Sequence, residues 1–360
     1  YFFGKNSNKN LNFFEQIFLV ILIYFFSSIF ISIPYIYGNY SLTLINAIFE
    51  SISGLTTTGF SILENIKYLD PTLILWRSSS QWIGSFYFLI FLLIVFSNKQ
   101  FNYKLTYLVF DESLGNNENF IKNTILKIFL IYSLLTFLIF VLLSYSEIRL
   151  FNALNLCMTL ISSGGFLPTN SLDQFIKNNF KEFIIIFAFL ISTLNFFLII
   201  NISSKKNLIE KHQEDLFLLV IFVIFTLILI IATDNLDFTT AALSTLSSLS
   251  NSGLSLKSIP DNLNLFFILI TIIGGSIISN TSGIKFLRLY ILIKSSMAEI
   301  LKLVRPNNVI NQNILFSNKK ISSEDIKISF LLFASFFLSL FILSSLLILD
   351  KIDFQSSFIL

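Results

Sequence analysis

"SISGLTTTGF", residues 51–60, lies between two apolar stretches, each long enough to cross a bilayer. Three threonines between Gly54 and Gly59 are poor material for a lipid-facing surface. Composition says what surrounds them. Of 360 residues, 54% are hydrophobic and only 12% charged, and Phe alone supplies 44. Soluble domains carry about a quarter charged residues. Most of this chain's surface therefore faces lipid, and the chain reads as a polytopic membrane protein. A single cysteine, Cys157, excludes an internal disulfide framework, and a single histidine, His212, excludes a Cys/His metal cluster. No GxxxxGK[ST] segment is present, which argues against an ATP-driven pump contained in this chain.

A crossing helix needs about 20 mostly apolar residues. Runs of that kind cover 13–37, 71–97, 124–147, 180–202, 215–233, 263–296 and 327–349, giving seven expected spans. The run 263–296 is too long for one simple crossing and contains a polar break. Between the spans lie shorter apolar stretches at 41–53, 149–162 and 237–250, each about half a crossing long and each ending in small residues and glycine.

Those three segments share a register. "INAIFESISGLTTTGF" runs to Gly59 and Phe60, "FNALNLCMTLISSGGF" to Gly165 and Phe166, and "TTAALSTLSSLSNSGL" to Gly253 and Leu254. Asn46-Ala47, Asn152-Ala153 and Thr240-Ala241 fall at the same distance before the glycine. The repeating unit is span, short helix, glycine loop, span. It divides the chain into repeat 1 (1–98), repeat 2 (99–204), repeat 3 (205–310) and the start of a truncated repeat 4 (311–360). With Tyr1 at one end and "DFQSSFIL" at the other, the chain reads as a fragment ending inside a fourth short helix.

Charge placement sets the orientation. Lys99, Lys104, Lys122 and Lys127 flank the connection between repeats 1 and 2, and Lys205, Lys206 and Lys211 that between 2 and 3. Lys294, Lys302, Arg305, Lys319, Lys320 and Lys327 lie between repeats 3 and 4. The loops beside the short helices are more acidic, with Glu64, Asp70, Asp173, Asp234, Asp237 and Asp261. By the positive-inside rule the inter-repeat connections are cytoplasmic, and the glycine loops open outward.

Backbone that leaves the helix at membrane depth must be buried in protein or bathed in water. Three such segments at equivalent positions imply one shared, water-accessible axis. Glycine permits positive φ, so backbone carbonyls can turn toward that axis. Carbonyl and hydroxyl oxygens can replace a cation's hydration shell, and the C-terminal ends of the short helices add partial negative charge. The expected ligands are Thr56, Thr57, Thr58 and Gly59; Ser162, Ser163, Gly164 and Gly165; and Ser250, Asn251, Ser252 and Gly253. A divalent site would gather carboxylates; these loops have none, and Glu50, on the first short helix, is the nearest. The set suits a monovalent cation.

The arrangement resembles the Trk/Ktr/HKT superfamily of potassium transporters. The residues that carry the resemblance are "SGLTTTGF" (53–60), "SSGGF" (162–166), "NSGL" (251–254), "LWRSSSQWIG" (75–84) and the long stretch 273–309, which is the most specific. The resemblance implies an all-α integral membrane protein with a pseudo-fourfold pore, and potassium at a filter with one glycine from each repeat. Glycine at Gly59 goes with potassium preference. It also implies that "GGSIISNTSG" (274–283) breaks its helix to form a gate, built from Gly274, Gly275, Ser276, Ser279, Asn280, Thr281, Ser282 and Gly283 with Lys285 just after. Ile277, Ile278 and Asn280 stand where the family has more glycine, and Ser85-Phe86-Tyr87 where it has small residues. The implied partners are the lipid bilayer, a second copy in a homodimer and a cytoplasmic nucleotide-binding regulatory subunit. Residues 294–327 serve as docking surface or as positive-inside anchor. The implied location is a bacterial inner membrane, with no nucleic-acid partner and no cofactor in the chain beyond the permeant potassium.

Bland readings stand beside these. "GGSIISNTSG" also fits a small-residue helix-packing face, and Lys285 fits either snorkelling to headgroups or facing the pore. Arg77 fits an interfacial anchor or a brace for the glycine loop. His212 is expected to be solvated, Cys157 to pack, and Trp76 and Trp82 to be interface and packing aromatics. Apart from plain permeation, a sodium- or proton-coupled symporter and a sodium-permeable relative remain open, although no convincing buried carboxylate is visible for a proton path. A membrane-embedded enzyme lacks paired acid/base or metal ligands. A non-transporting scaffold has no need of three glycine loops in register.

Overall fold

The computed structural model describes residues 12–38, 41–97, 118–176, 178–202, 212–233, 236–254, 263–305, 313–314 and 320–359. The expected repeat boundaries at 98/99, 204/205 and 310/311 lie outside these residues, as do Lys99, Lys104, Lys205, Lys206, Lys211, Lys319, Asp234 and Asp261. The helices are α1 (Phe13–Tyr37), α2 (Leu44–Leu55), α3 (Pro71–Ser97), α4 (Glu118–Tyr145), α5 (Leu150–Ser162), α6 (Asn179–Thr193) and α7 (Phe196–Ile202). They continue with α8 (Gln213–Ala232), α9 (Phe238–Ser250), α10 (Asn264–Ile273), α11 (Phe286–Val304), α12 (Ser323–Leu349) and α13 (Phe354–Ile359).

The polarity of the fold is inverted relative to a soluble protein. Among the described residues four helices are long and apolar enough to cross a membrane: α1, α4, α8 and α12. Little of their surface is covered by protein, and in α12 only 6% of the most apolar window is buried. Large side chains such as Phe18, Phe30, Phe137, Phe330 and Phe341 point outward from them, as expected where lipid replaces water. The short helices pack among them: α5 and the Ser- and Thr-rich α9 are mostly buried, whereas α2 leaves Leu44, Ile45, Phe49 and Ile52 exposed. α2 packs between α1 and α3, α5 against α3, α4 and α6, and α9 against α6, α8 and α10. Their hydroxyls are satisfied locally: Ser51 Oγ donates to the Ala47 carbonyl and Thr245 Oγ1 to that of Ala242. Ala47, Ala153 and Ala241, the alanines of the repeated register, are wholly buried.

Two expected spans are not continuous. The run 180–202 is broken between α6 and α7: Leu194 is extended, and the Asn195 and Phe196 N–H groups leave the helix for Asp215 Oδ1 and the Ile278 carbonyl, both at 2.8 Å. Backbone groups freed from a helix at this depth need such partners. The run 263–296 breaks at Gly274, where the sequence has its polar interruption, and α11 then continues to Val304. α3 is long enough to cross, but its first half carries Arg77, Ser78, Ser79, Ser80 and Gln81, and all but Ser79 of these are buried.

α2 and α3 approach each other closely. A β-carbon on Gly84 would lie 1.8 Å from the Leu55 carbonyl oxygen, so only glycine fits. Trp82, two residues earlier, donates Nε1–H to Thr136 and stacks on Tyr132, tying α3 to α4. Overpacking of this kind costs about 1–3 kcal/mol or more. Gly84→Ala is therefore expected to lower the thermal unfolding temperature of the detergent-solubilised protein. Ser79→Ala, on the same helix, should change it little; equal effects would contradict the close approach.

Candidate functional site

The three short helices begin and end alike. Their N-caps are Thr43, Arg149 and Asp237, whose carbonyls accept the N–H groups of Ala47, Ala153 and Ala241. At the other end, Thr57 N–H donates to Gly54 and Thr58 N–H to Ser53. Ser163 and Gly164 donate in the same way to Leu160 and Thr159, and Asn251 and Ser252 to Ser248 and Ser247. This pair of bonds is the Schellman ending, which requires a left-handed residue. That residue is Thr57, Ser163 or Asn251, with φ of 56°, 56° and 58°. Two residues later Gly59, Gly165 and Gly253 take φ of 86°, 88° and 67°. Left-handed Thr57 is β-branched and strained, so the surroundings must hold it there. α2 runs to Leu55, two residues past the expected apolar stretch 41–53, and the loop begins at Thr56.

The three loops converge. A β-carbon on Gly59 would lie 2.4 Å from the Gly164 carbonyl oxygen, and one on Gly165 would lie 2.6 Å from that of Ser252. All three glycines line one cavity of about 310 Å³, together with Ser61, Thr169 and Asn170. Thus Gly59, Gly164, Gly165, Ser252 and Gly253 come together. Most hydroxyls of the expected set turn back into their own helices. Thr56 Oγ1 donates to Ile52 O at 2.7 Å and contacts Thr58 Oγ1, Ser162 Oγ donates to Thr159 O, and Ser250 Oγ donates to Ser247 O. Asn251 Nδ2 is taken by the Thr271 carbonyl. Ser163 Oγ is buried with no hydrogen-bond partner.

A buried network braces the loops from behind. Arg77 Nε and Glu50 Oε1 pair at 2.9 Å, with 1% and 0% of the side chains exposed. Arg77 Nη2 donates to Ser61 Oγ, Ser61 Oγ donates to Glu50 Oε1, and Ile62 N–H donates to Glu50 Oε2. The guanidinium also lies over the Phe166 ring, 4.2 Å from its centroid. Arg77 is thus a brace, joining the exits of loops one and two. Gln81 holds loop two directly, donating Nε2–H to the Gly164 carbonyl and accepting from Phe166 N–H. Gln81 was invisible as a site residue in the sequence; its only signal was an amide side chain inside an apolar run.

Residues 274–285 form a second site. Gly274 and Gly283 have positive φ and lie in contact, closing the base of the loop. Lys285, itself at φ 79°, folds its ammonium back onto the Ser279 hydroxyl and the Thr281 carbonyl and hydroxyl. It is buried and stitches the loop internally; it does not snorkel. The loop touches the C-terminal end of α5, where Asn280 Nδ2 donates to the Ile161 carbonyl. Glu214, at the start of α8, accepts from Ile277 N–H at 3.0 Å and Ser276 Oγ at 3.2 Å. His212 is not solvated: it is 3% exposed and lies 3.1 Å from Asp215 Oδ2. Glu214 and Asp215 are both buried.

Removing one member of a buried ion pair costs about 3–5 kcal/mol, since the survivor keeps an uncompensated charge. Arg77→Ala is therefore expected to lower the unfolding temperature sharply. The double variant Glu50→Gln/Arg77→Met, with neither charge, should recover part of the loss. Thermal unfolding monitored by tryptophan fluorescence reads both, and an Arg77→Ala protein as stable as the parent would show that the pair is idle.

Residues 17–254 match the TrkH family, described as cation transport protein. The chain is 28% identical over 331 residues to an uncharacterized cation transporter of Methanocaldococcus jannaschii, covering 87% of this chain and 68% of that protein. It is 26% identical over 329 residues to the Trk system potassium uptake protein TrkG of Escherichia coli, covering 86% and 67%. Against TrkH of the same organism identity is 27% over 299 residues, covering 77% and 61%. The chain thus spans about two thirds of the length of these curated relatives. Its fold matches the crystal structure of the potassium transporter TrkH from Vibrio parahaemolyticus, with a TM-score of 0.82 at 21% identity, covering 98% of this chain and 75% of that one. With most of its length inside the family match and long apolar helices facing outward, this multi-pass membrane protein belongs to the TrkH family of cation transport proteins.

Proposed function

We propose that the chain carries potassium across the membrane through a filter formed where the three glycine loops meet. The observation that carries this is the repeated backbone: a left-handed residue followed two positions later by a positive-φ glycine, three times, around one cavity. Such alternation turns backbone carbonyls out of the helical direction, and carbonyl rings can replace a potassium hydration shell. Because the hydroxyls of Thr56, Ser162 and Ser250 donate back into their helices, carbonyls supply most of the ligands. The unpartnered Ser163 hydroxyl is the exception. No carboxylate belongs to the ligand set, and Glu50 is neutralised by Arg77, which suits a monovalent ion. α12 and α13 repeat the pairing of a span with a short helix, in keeping with a fourth unit and a pseudo-fourfold pore.

In this reading ions enter from outside, cross the filter and meet the loop 274–285, which acts as a gate. Its contact with the C-terminal end of α5 supports that role. The relatives TrkG and TrkH are named as potassium uptake proteins, which favours potassium as the cargo. A second copy and a cytoplasmic nucleotide-binding regulatory subunit are part of the same proposal, supported by family resemblance alone.

Serine at Gly59 would have to hold φ of 86° with its β-carbon against the Gly164 carbonyl. Flux of rubidium and sodium into liposomes containing the protein tests the filter. Gly59→Ser is expected to cut rubidium flux by about tenfold or more, the effect of at least 1.4 kcal/mol, while sodium flux falls less. An unchanged ratio sinks the filter. Thr58→Val, which keeps the shape and removes the hydroxyl, is expected to preserve the ratio if carbonyls are the ligands. A collapse of selectivity in that variant would make the hydroxyl the ligand instead.

A further inference from the structure

The bonds that hold the loop 274–285 fall into two groups. One group is internal: Lys285 to Ser279 and Thr281, Gly275 N–H to Thr281 Oγ1, and Ser279 Oγ to Thr281 Oγ1. These keep the loop's shape wherever it goes. The other group ties the loop to its surroundings, and it is concentrated on three consecutive residues. Ser276 N–H donates to the Thr193 carbonyl at the end of α6, and the Ile278 carbonyl accepts from Phe196 N–H at the start of α7. Between them, Ile277 N–H and Ser276 Oγ both donate to the Glu214 carboxylate. Asp215, the next residue, accepts the Asn195 N–H in the gap between α6 and α7 and lies beside His212. One turn of α8 therefore holds both the loop and the helix break onto which the loop is stitched.

We infer that Glu214 is a positioning residue for gating: its carboxylate latches the 276–278 segment in the pore-occluding position, with Asp215 clamping the α6–α7 break as the other half of the latch. The inference rests on the gate assigned above to residues 274–285. Three features favour Glu214 over the other contacts as the latch. Both its oxygens are bonded to the loop, whereas Thr193 and Phe196 each hold it by a single bond. The side chain lies in the first turn of α8, so its anchor is a rigid helix and not another loop. At the α6–α7 break the N–H groups of residues 195 and 196 bond to Asp215 and to the loop, so the two distortions share one set of bonds. Movement at the start of α8 or at α7 then reaches the loop directly.

Rubidium flux into liposomes containing the protein, without any regulatory partner, tests this with three variants. Glu214→Ala is expected to raise basal flux about tenfold, the change that loss of its two hydrogen bonds to the loop makes in a closed-to-open equilibrium. The rubidium-to-sodium ratio should stay unchanged, because the filter is untouched. General damage to the fold would instead lower flux or blur that ratio. Ser276→Ala removes one of the two latch bonds, is less disruptive to folding, and should raise flux by a smaller factor. Shortening the loop between Ser276 and Ser282 tests the gate itself and should raise flux most. If the shortened loop conducts more but folded Glu214→Ala and Ser276→Ala do not, the latch is overturned and the gate survives. If the shortened loop leaves flux unchanged, the gate fails and the latch with it.

Discussion

Backbone that leaves a helix inside a bilayer must find its hydrogen-bond partners within the protein or in a water-filled cavity, and this structure is organised around that constraint. The chain leaves the helix at five described places: after α2, α5 and α9, between α6 and α7, and between α10 and α11. At each, named groups take up released N–H groups. Schellman endings close the three short helices. Glu50 and Gln81 receive N–H groups at the exits of the first two loops. Asp215 and Glu214 receive those of the α6–α7 break and the 274–285 loop. Buried charge in this protein therefore sits beside irregular backbone, where a strong acceptor has most to satisfy.

That pairing explains what was legible in the sequence and what was not. The short helices, their register and the break at Gly274 depend on local features: apolar length, a buried alanine at a fixed position, and glycine where φ must be positive. They are readable because the cause and the structure share a few residues. The left-handed Thr57, Ser163 and Asn251 are harder, since only Asn among them favours that conformation; the cause is the helix ending, not the side chain. The α6–α7 break lies in "LISTLNFFLII", an unremarkable apolar run whose only hint is Asn195. Its causes, Asp215 and Ile278, lie on other elements. His212 misled for the same reason. A charged cluster beside an apolar run normally marks the water boundary, and here it is drawn inward by backbone donors that only the tertiary fold supplies.

The departures from family pattern in the gate loop gain a physical meaning in the same terms. Where the family has more glycine, this chain has Ile277, Ile278 and Asn280. Ile277 and Ile278 are buried, with 6% and 1% exposed, and both belong to the main apolar core. Asn280 donates to the end of α5. A glycine-rich loop would be confined by backbone bonds alone and would gain much entropy on release. In this chain each departure adds an anchor: two apolar side chains below and an amide above. In the proposed gate, opening then means withdrawing Ile277 and Ile278 from the core as well as breaking the Glu214 bonds. The loop is thus held where it lies by packing and polar contacts together, and the polar ones come from α6, α7 and the start of α8.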